Sequence, residues 1–125
     1  MGFAGRAPSN WDPAAVTPNQ GLDMLQLRPT CENCNKPLPP DSTEARICSY
    51  ECTFCEKCVD AILFNVCPNC GGGFVPRPIR PSKNRKNGNY LGKDPASTTV
   101  KHRPVDPAAH NQFAMPIKDI PAHQR

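Results

Sequence analysis

The sequence predicts a small metal-stabilised α+β finger, made of a short β-hairpin and one helix, with disordered flanks. All eight cysteines of the 125-residue chain lie between Cys31 and Cys70, and sixteen prolines stand against only five Phe, two Tyr and one Trp. A module of about fifty residues with so few large apolar side chains buries too little surface to fold unaided. Metal ions or disulfides are therefore needed to hold it.

Composition divides the chain into three segments. Residues 1–23 are rich in Pro, Gly, Asn and Ala and predict a flexible N-terminal arm. Residues 24–76 hold the cysteines and form the predicted two-site module. Residues 77–125 are rich in proline and lack a sustained apolar period, which predicts a basic tail that is largely disordered, with one or two docked segments.

Short strands are predicted around the first cysteines. Leu25 and Leu27 alternate as at a strand end leading into Cys31. A proline-rich loop then leads to a strand over residues 45–47, and residues 52–55 are again short and extended.

The single predicted helix spans residues 56–65. Within this stretch and just after it, apolar residues recur at i, i+3, i+4 and i+7, as on one helical face: Val59, Ile62, Leu63 and Val66. The glycines that follow Cys70 suit a metal-binding knuckle, which needs free amide groups and a positive φ angle.

The cysteine spacing is C-x2-C-x13-C-x3-C-x2-C-x2-C-x8-C-x2-C. Eight thiolates in close pairs are what two tetrahedral Zn(Cys)₄ sites require, because a two-residue gap lets one turn present both sulfurs about 2.3 Å from the ion. No apolar run resembles a signal peptide or a membrane span, so a cytoplasmic location is expected. In that reducing compartment clustered cysteines indicate metal ligands before disulfides. The predicted cofactor is Zn²⁺, two per chain.

Two other uses of the thiols stay open as minor alternatives. The run "CTFCEKC" resembles the start of a bacterial ferredoxin motif, but the completing x3-C-P is absent after Cys58. A thiol redox role would need a βαβ pattern around one C-x2-C pair, and none is evident.

The predicted helix bears on which cysteines share an ion. Eight residues separate Cys58 from Cys67, and in a helix they carry the chain about 12 Å, whereas sulfurs on one zinc lie about 4 Å apart. The interleaved solution therefore uses the helix as a strut between two sites, although sequential pairing stays open if the chain doubles back. Site 1 would comprise Cys31, Cys34, Cys55 and Cys58, and site 2 Cys48, Cys52, Cys67 and Cys70.

The cysteine-rich stretch resembles two known families. The spacings, with "CTFC", the helical stretch and "CPNC", are similar to a RING-type finger, in which Cys52 stands where most RINGs have histidine. This resemblance implies interleaved pairing in a cross-brace and a treble-clef-like hairpin and helix. The stretch from "MLQLRPTCENC" to "CPNCGGGFVPRPIRP" resembles more closely the small bacterial domain of unknown function 1272, over roughly residues 24–105. That resemblance implies zinc binding, supplies no activity, and argues against ubiquitin-ligase work.

The predicted role is that of a protein-interaction adaptor, with an unidentified protein as partner. Closed Zn(Cys)₄ sites offer no open coordination position, so the zinc is predicted to be structural and the chain not to be an enzyme. The three histidines, His102, His110 and His123, are predicted to be solvated, and no small-molecule substrate or membrane is indicated. An incompletely covered core predicts exposed aromatic side chains among Tyr50, Phe54, Phe64 and Phe74, although Phe54 and Tyr50 are also candidates to pack between the ions.

The alternative function is nucleic-acid binding through the tail. Residues 76–125 carry ten basic and three acidic groups, while residues 24–75 carry four basic and six acidic groups. Phosphate contacts and one stacking ring would come from Arg77, Arg80, Lys83, Arg85, Lys86, Lys93 and Tyr90.

Overall fold

A computed structural model describes residues 24–125; the arm predicted over residues 1–23 lies outside the described residues. The predicted fold class is confirmed: a three-stranded antiparallel sheet leads into a helix, and the cysteines surround them. In chain order the elements are β1 (Ala45–Ile47), β2 (Thr53–Cys55), α1 (Glu56–Cys58) with a π-helical continuation (Val59–Leu63), β3 (Val75–Pro76), α2 (Pro107–Ala114) and a 3₁₀ turn (Ala122–Gln124).

The sheet has the order β2-β1-β3 and is centred on the predicted strand 45–47. Ala45 pairs with Cys55 across the β1–β2 hairpin, and this register places Cys55 directly before the start of the helix. β3 was not predicted, because two residues are too few to produce an alternating pattern. Its Pro76 is tolerated since β3 is an edge strand, where a missing N–H leaves no ladder bond unmade.

The helix begins at Glu56 as predicted but ends at Leu63, two residues early. Its second half is π-helical, and the Phe64 and Asn65 amides both donate to the carbonyl of Val59. Phe64 and Asn65 have φ angles of 54° and 57°, so two consecutive left-handed residues turn the chain toward the next cysteines.

The predicted strand end at Leu25 and Leu27 is wrong. Leu27 has a φ angle of 57°, which breaks an extended strand, and its side chain is buried. Leu25 is only partly buried, and between the two leucines the Gln26 amide donates to the Glu51 carboxylate at 3.0 Å rather than to a strand.

The core lies between the sheet, the helix and the cysteine loops. Phe54 is 1% exposed and meets Phe74 edge to face, with ring centroids 5.5 Å apart at 81°. Val59 and Leu63 pack beneath it from the helix, as the apolar spacing predicts. The core is small, and thiols make up much of it.

Several parts of the tail are docked against the module. Helix α2 packs on the π-helical turn, with Ala114 fully buried, and it was not predicted because only two of its side chains are buried. A local signal for it was present: Asp106 caps the helix by accepting from the Ala108 amide at 3.1 Å, and Pro107 occupies its first position. Disorder of the remaining tail stays a prediction.

Arg77 joins the end of the sheet to the N-terminal loops. Its side chain is 4% exposed, and its guanidinium donates to the carbonyls of Arg28 (2.8 Å), Leu38 (3.2 Å) and Pro39 (2.8 Å), while its amide donates to Ala45. Burial lowers the pKa of Arg77. The guanidinium satisfies three carbonyls, and those carbonyls compensate for the loss of its water.

Replacing Arg77 with Met should lower the free energy of unfolding of the metal-saturated protein by about 2–4 kcal/mol, because buried carbonyls lose their donors. Arg77→Lys should rescue little, since one ammonium cannot span three carbonyls. Denaturant titration checks this, with Lys83→Met on the exposed surface as the control. If Arg77→Met lowers the free energy of unfolding no more than Lys83→Met does, the hydrogen bonds of Arg77 do not stabilise the fold.

Candidate metal centre

Four sulfurs predicted to share site 1 converge in the structure. Those of Cys31, Cys34, Cys55 and Cys58 all lie within 4.8 Å of one another, and the Cys34 and Cys55 sulfurs are 3.8 Å apart. The first two cysteines come from one turn, and the last two from the end of β2 and the end of α1. This group is called cluster 1.

A hairpin-like turn presents the first two sulfurs of cluster 1. Thr30 and Pro37 form an isolated antiparallel bridge, and the Cys31 amide donates to the Lys36 carbonyl at 2.9 Å. The turn closes at Asn35, whose φ angle of 63° is left-handed and whose amide donates to the Cys31 carbonyl. Asparagine tolerates this conformation better than most side chains.

Cluster 2 is formed by Cys48, Cys67 and Cys70, whose sulfurs also lie within 4.8 Å of one another. The turn that carries the last two repeats the geometry of the first turn. Gly71, with a φ angle of 77°, occupies the place of Asn35 and donates its amide to the Cys67 carbonyl at 2.8 Å. The positive φ expected among these glycines is therefore confirmed at Gly71.

Cys52, the remaining predicted ligand of site 2, lies beside cluster 2 but outside the mutual 4.8 Å distance. Its side chain is buried, and its sulfur accepts from Nδ2 of Asn69 at 3.2 Å. Its carbonyl accepts from the Cys48 amide at 3.2 Å. Cys55 at the end of β2 thus belongs to cluster 1, whereas Cys52 just before its start lies beside cluster 2.

N–H groups surround the sulfurs. Donors of this kind stabilise thiolates and orient them toward a metal. Four are backbone amides: Cys34 to Cys31 (3.5 Å), Tyr50 to Cys48 (3.3 Å), Asn69 to Cys67 (3.4 Å) and Gly72 to Cys70 (3.4 Å). Two are carboxamides at the same position of the two C-x-N-C turns, Asn33 to Cys58 and Asn69 to Cys52, each at 3.2 Å.

Burial opposes charge on four of these thiols. It raises the pKa of Cys48 to about 11, with a smaller raising contribution from the thiol of Cys52, and it raises the pKa of Cys31, Cys58 and Cys67. For Cys34, partial burial raises the pKa but is outweighed by hydrogen bonds, first that of the Lys36 amide, so the pKa is lowered. Several buried sulfurs cannot all ionise at this distance without a cation, so the donor set suits a divalent metal.

The seven residues predicted to contact nucleic acid separate into two groups. Arg77 is buried, and Arg80 donates to the carbonyls of Asp94 (2.8 Å) and Leu25 (2.6 Å), so both hold the fold together. The others lie on a loop closed by that contact, which we call the cationic loop, residues 81–94. Lys83, Arg85, Lys86 and Lys93 are exposed on it, and Tyr90 is half-buried.

The tail histidines differ from one another. His110 is 4% exposed, and its Nε2 lies 2.9 Å from the Leu63 carbonyl, so the prediction that it is solvated is wrong. His102 is exposed and places Nε2 3.1 Å from the Asn33 carbonyl, while His123 is exposed. At the helix end the Leu63 carbonyl also accepts from the Val66 amide at 3.0 Å, and no local sequence pattern signals that the distant His110 lies against the same carbonyl.

In the part of the chain from residue 24 onward, every helix is too short or too polar to cross a bilayer.

Comparison with known proteins gives one family and one close relative. A profile of the family described as "Protein of unknown function (DUF1272)" matches residues 24–80. An uncharacterized protein of Rhizobium meliloti (strain 1021) is 51% identical over 81 residues, which cover 65% of this chain and 89% of that protein. No solved structure matches the chain. Coverage of nearly all of the relative means that the likeness extends beyond the cysteine motif.

Metal uptake should release protons and weaken as the pH falls. A cysteine thiol has an ordinary pKa of about 8.5 and is mostly protonated at pH 7, and it must lose its proton to bind a metal, so up to about four protons should leave per filled cluster. Calorimetric Zn²⁺ titrations in buffers of different ionisation enthalpy measure this number. Release of fewer than about one proton per ion, or an affinity unchanged between pH 7 and pH 5.5, would contradict thiolate ligation.

Proposed function

The chain belongs to the DUF1272 family of proteins of unknown function, and we propose that its cysteine module holds two structural Zn²⁺ ions and acts as a protein-interaction adaptor. The convergence of seven of the eight sulfurs into two clusters carries the first half of this proposal. Free thiols throughout fit a reducing cytoplasm, where we place the protein.

Zinc is favoured because the donors are all thiols. Sets of four thiolates in knuckle-like turns bind Zn²⁺ tetrahedrally. Iron–sulfur clusters also use four cysteines, but a ferredoxin-type run needs consecutive cysteines around one cluster. In "CTFCEKC" Cys55 and Cys58 lie in cluster 1 while Cys52 lies beside cluster 2, which argues against that use.

Cys52 is proposed as the fourth ligand of cluster 2. Asn33 and Asn69 occupy the same place in their turns, and each donates its carboxamide to a sulfur from another loop. In cluster 1 the acceptor, Cys58, belongs to the converged set. By the same logic we propose that Cys52 completes cluster 2 once its side chain turns toward the ion.

A site closed by four thiolates leaves no position for substrate or water, so the zinc supplies folding energy rather than Lewis-acid chemistry. Structural zinc contributes about 10–16 kcal/mol in zinc-finger peptides, which is as large as the whole stability of many domains. The largest fully buried apolar side chains here are only Phe54, Leu38, Leu63 and Val66. The module should therefore depend on its metal to fold.

The adaptor role is supported by aromatic side chains that the fold holds in water. Tyr50 is 73% exposed at the tip of the turn between Cys48 and Cys52, and its amide is fixed by the Cys48 sulfur. Phe64 is 39% exposed, and its backbone is left-handed, a conformation that is costly for a bulky residue. Exposed aromatic residues on rigid backbone are typical anchors of protein interfaces.

Nucleic-acid binding is the second candidate, favoured by the cationic loop. Its Asn87-Gly88 turn has two positive φ angles, 58° and 73°, and the Leu91 amide donates to the Pro81 carbonyl, so the cations are displayed by an ordered loop. Asp94 is the single carboxylate within residues 81–94. Such a loop suits a phosphate backbone without base specificity.

Zinc content tests the first half of the proposal. Protein purified without added metal should contain two zinc ions, and Cys55→Ser and Cys52→Ser should each lose one, from cluster 1 and cluster 2 respectively. Elemental analysis with native mass spectrometry counts the ions, and Ser49→Ala controls for a change in the same loop. Iron in place of zinc, or Cys52→Ser retaining two ions at full affinity, would contradict this assignment.

The adaptor role is tested by a photo-crosslinking amino acid placed at Tyr50 in bacterial cells. It should give a discrete adduct with one protein, and Cys67→Ser should abolish that adduct because cluster 2, which includes Cys48 at the base of this turn, loses its metal. The same group at Val100, which is 54% exposed on the tail, is the control. Equal labelling from both positions, or none from position 50, would contradict an adaptor surface there.

The nucleic-acid candidate is tested by anisotropy titrations with DNA and RNA at about 50 and 200 mM salt. Arg85→Gln/Lys86→Gln should reduce the salt slope by about two if these cations contact phosphate. Lys57→Gln/Lys118→Gln removes the same charge elsewhere and is the control. Equal effects of the two pairs, or no binding at the lower salt, would exclude this function for the loop.

A further inference from the structure

Asn33 is bonded to cluster 1 and to the tail by the two ends of one carboxamide. Its Nδ2 donates to the sulfur of Cys58 at 3.2 Å, and its Oδ1 accepts from the amide of Val105 at 2.7 Å. Only this orientation of the carboxamide satisfies both partners, because a sulfur acceptor needs the NH₂ group and an amide donor needs the oxygen. The side chain therefore makes a direct link between a proposed metal ligand and the tail.

The tail segment that reaches Asn33 is called the strap, residues 102–105. His102 places Nε2 3.1 Å from the Asn33 carbonyl, and the Arg103 amide donates to the Glu32 carbonyl at 2.7 Å. Val105 packs against the buried core that contains the cysteines. The strap thus lies along the first cysteine turn through both backbone and side chain.

Asn69 offers a natural comparison within the same molecule. It occupies the equivalent position in its turn and donates to the Cys52 sulfur at the same 3.2 Å. Among residues 24–125, its hydrogen bonds are the one to Cys52 and the one from its own amide to the Cys67 sulfur, and neither involves the tail. The sulfur contact is common to both turns, whereas the strap contact belongs to cluster 1.

We infer that Asn33 is a positioning residue that couples docking of the strap to retention of metal at cluster 1. This inference rests on the proposed metal binding. With the strap docked, the Val105 amide holds the carboxamide so that Nδ2 faces Cys58; with the strap released, the carboxamide is free to rotate and the sulfur loses its donor. Linkage requires the reverse effect too, so metal at cluster 1 strengthens docking of the strap by the same factor.

The coupling makes the tail responsive to one metal site only. Loss of metal from cluster 1 weakens the hold on residues 102–105, and displacement of the strap by a partner weakens the hold on that metal. Cluster 2 lacks the link and should respond to neither event.

The test follows metal loss cluster by cluster in the full chain. Zinc-loaded protein is challenged with a chromogenic chelator, the freed thiols are alkylated with N-ethylmaleimide at intervals, and mass mapping shows which cysteines have lost metal. Val105→Pro removes the amide donor, and Val105→Ala keeps it as the control for packing. Val105→Pro should speed loss from cluster 1 about fivefold relative to Val105→Ala, the size expected for one hydrogen bond, and leave cluster 2 unchanged.

A double-mutant cycle tests whether the effect passes through Asn33. In an Asn33→Ala background, Val105→Pro should change the rate at cluster 1 by less than twofold, and Asn69→Ala should speed loss only from cluster 2. Asn33→Asp keeps the acceptor for Val105 but not the donor for Cys58, so it should speed metal loss while the Val105 amide stays protected from hydrogen exchange. This variant also serves if Val105→Pro does not fold.

Two results would overturn the coupling while leaving metal binding intact. One is the same acceleration by Val105→Pro with and without Asn33, and the other is acceleration of both clusters alike by that substitution. A wild-type protein that holds no metal at cluster 1 would overturn the proposed function and the coupling together. Counting the ions before the challenge separates these cases.

Discussion

The structure depends on one constraint, the convergence of cysteine sulfurs from distant parts of a short chain into two clusters that share β2 and the helix. β2 has Cys55 at one end and Cys52 just before its other end, so a strand of three residues connects the two groups. The helix, which runs from Glu56 to Leu63 and is about two turns long, then stands between Cys58 and Cys67 and keeps the clusters apart. The same short strand and helix therefore position ligands of both clusters.

The tail provides a second set of restraints around this small core. Arg77 and Arg80 donate to carbonyls of residues near the start of the module, and the C-terminal Arg125 donates to the carbonyls of Asn65 and Gly71. Guanidinium groups suit this use because their planar arrays of donors can satisfy several carbonyls at once. Part of the positive charge of the tail therefore serves to stabilise the fold. The charged side chains that remain free to meet a partner lie mainly on the cationic loop.

The sequence predicted what depends on spacing and missed what depends on long-range contact. Cysteine spacing and the strut-like helix indicated the interleaved grouping, and the strand at residues 45–47 agrees with the structure. The early end of the helix escaped prediction because a left-handed Phe64 contradicts local propensity. Arg77 and His110 were misread because their partners lie 38 to 49 positions away, where no local pattern reports that a charged or polar side chain is buried.

Cadmium substitution tests most directly whether the two proposed metal sites interleave along the chain. In protein loaded with ¹¹³Cd, correlation spectra link each ion to the β-protons of the cysteines that bind it. One ion should correlate with Cys31, Cys34, Cys55 and Cys58, and the other with Cys48, Cys52, Cys67 and Cys70. Correlation of one ion with Cys31, Cys34, Cys48 and Cys52 would contradict the account.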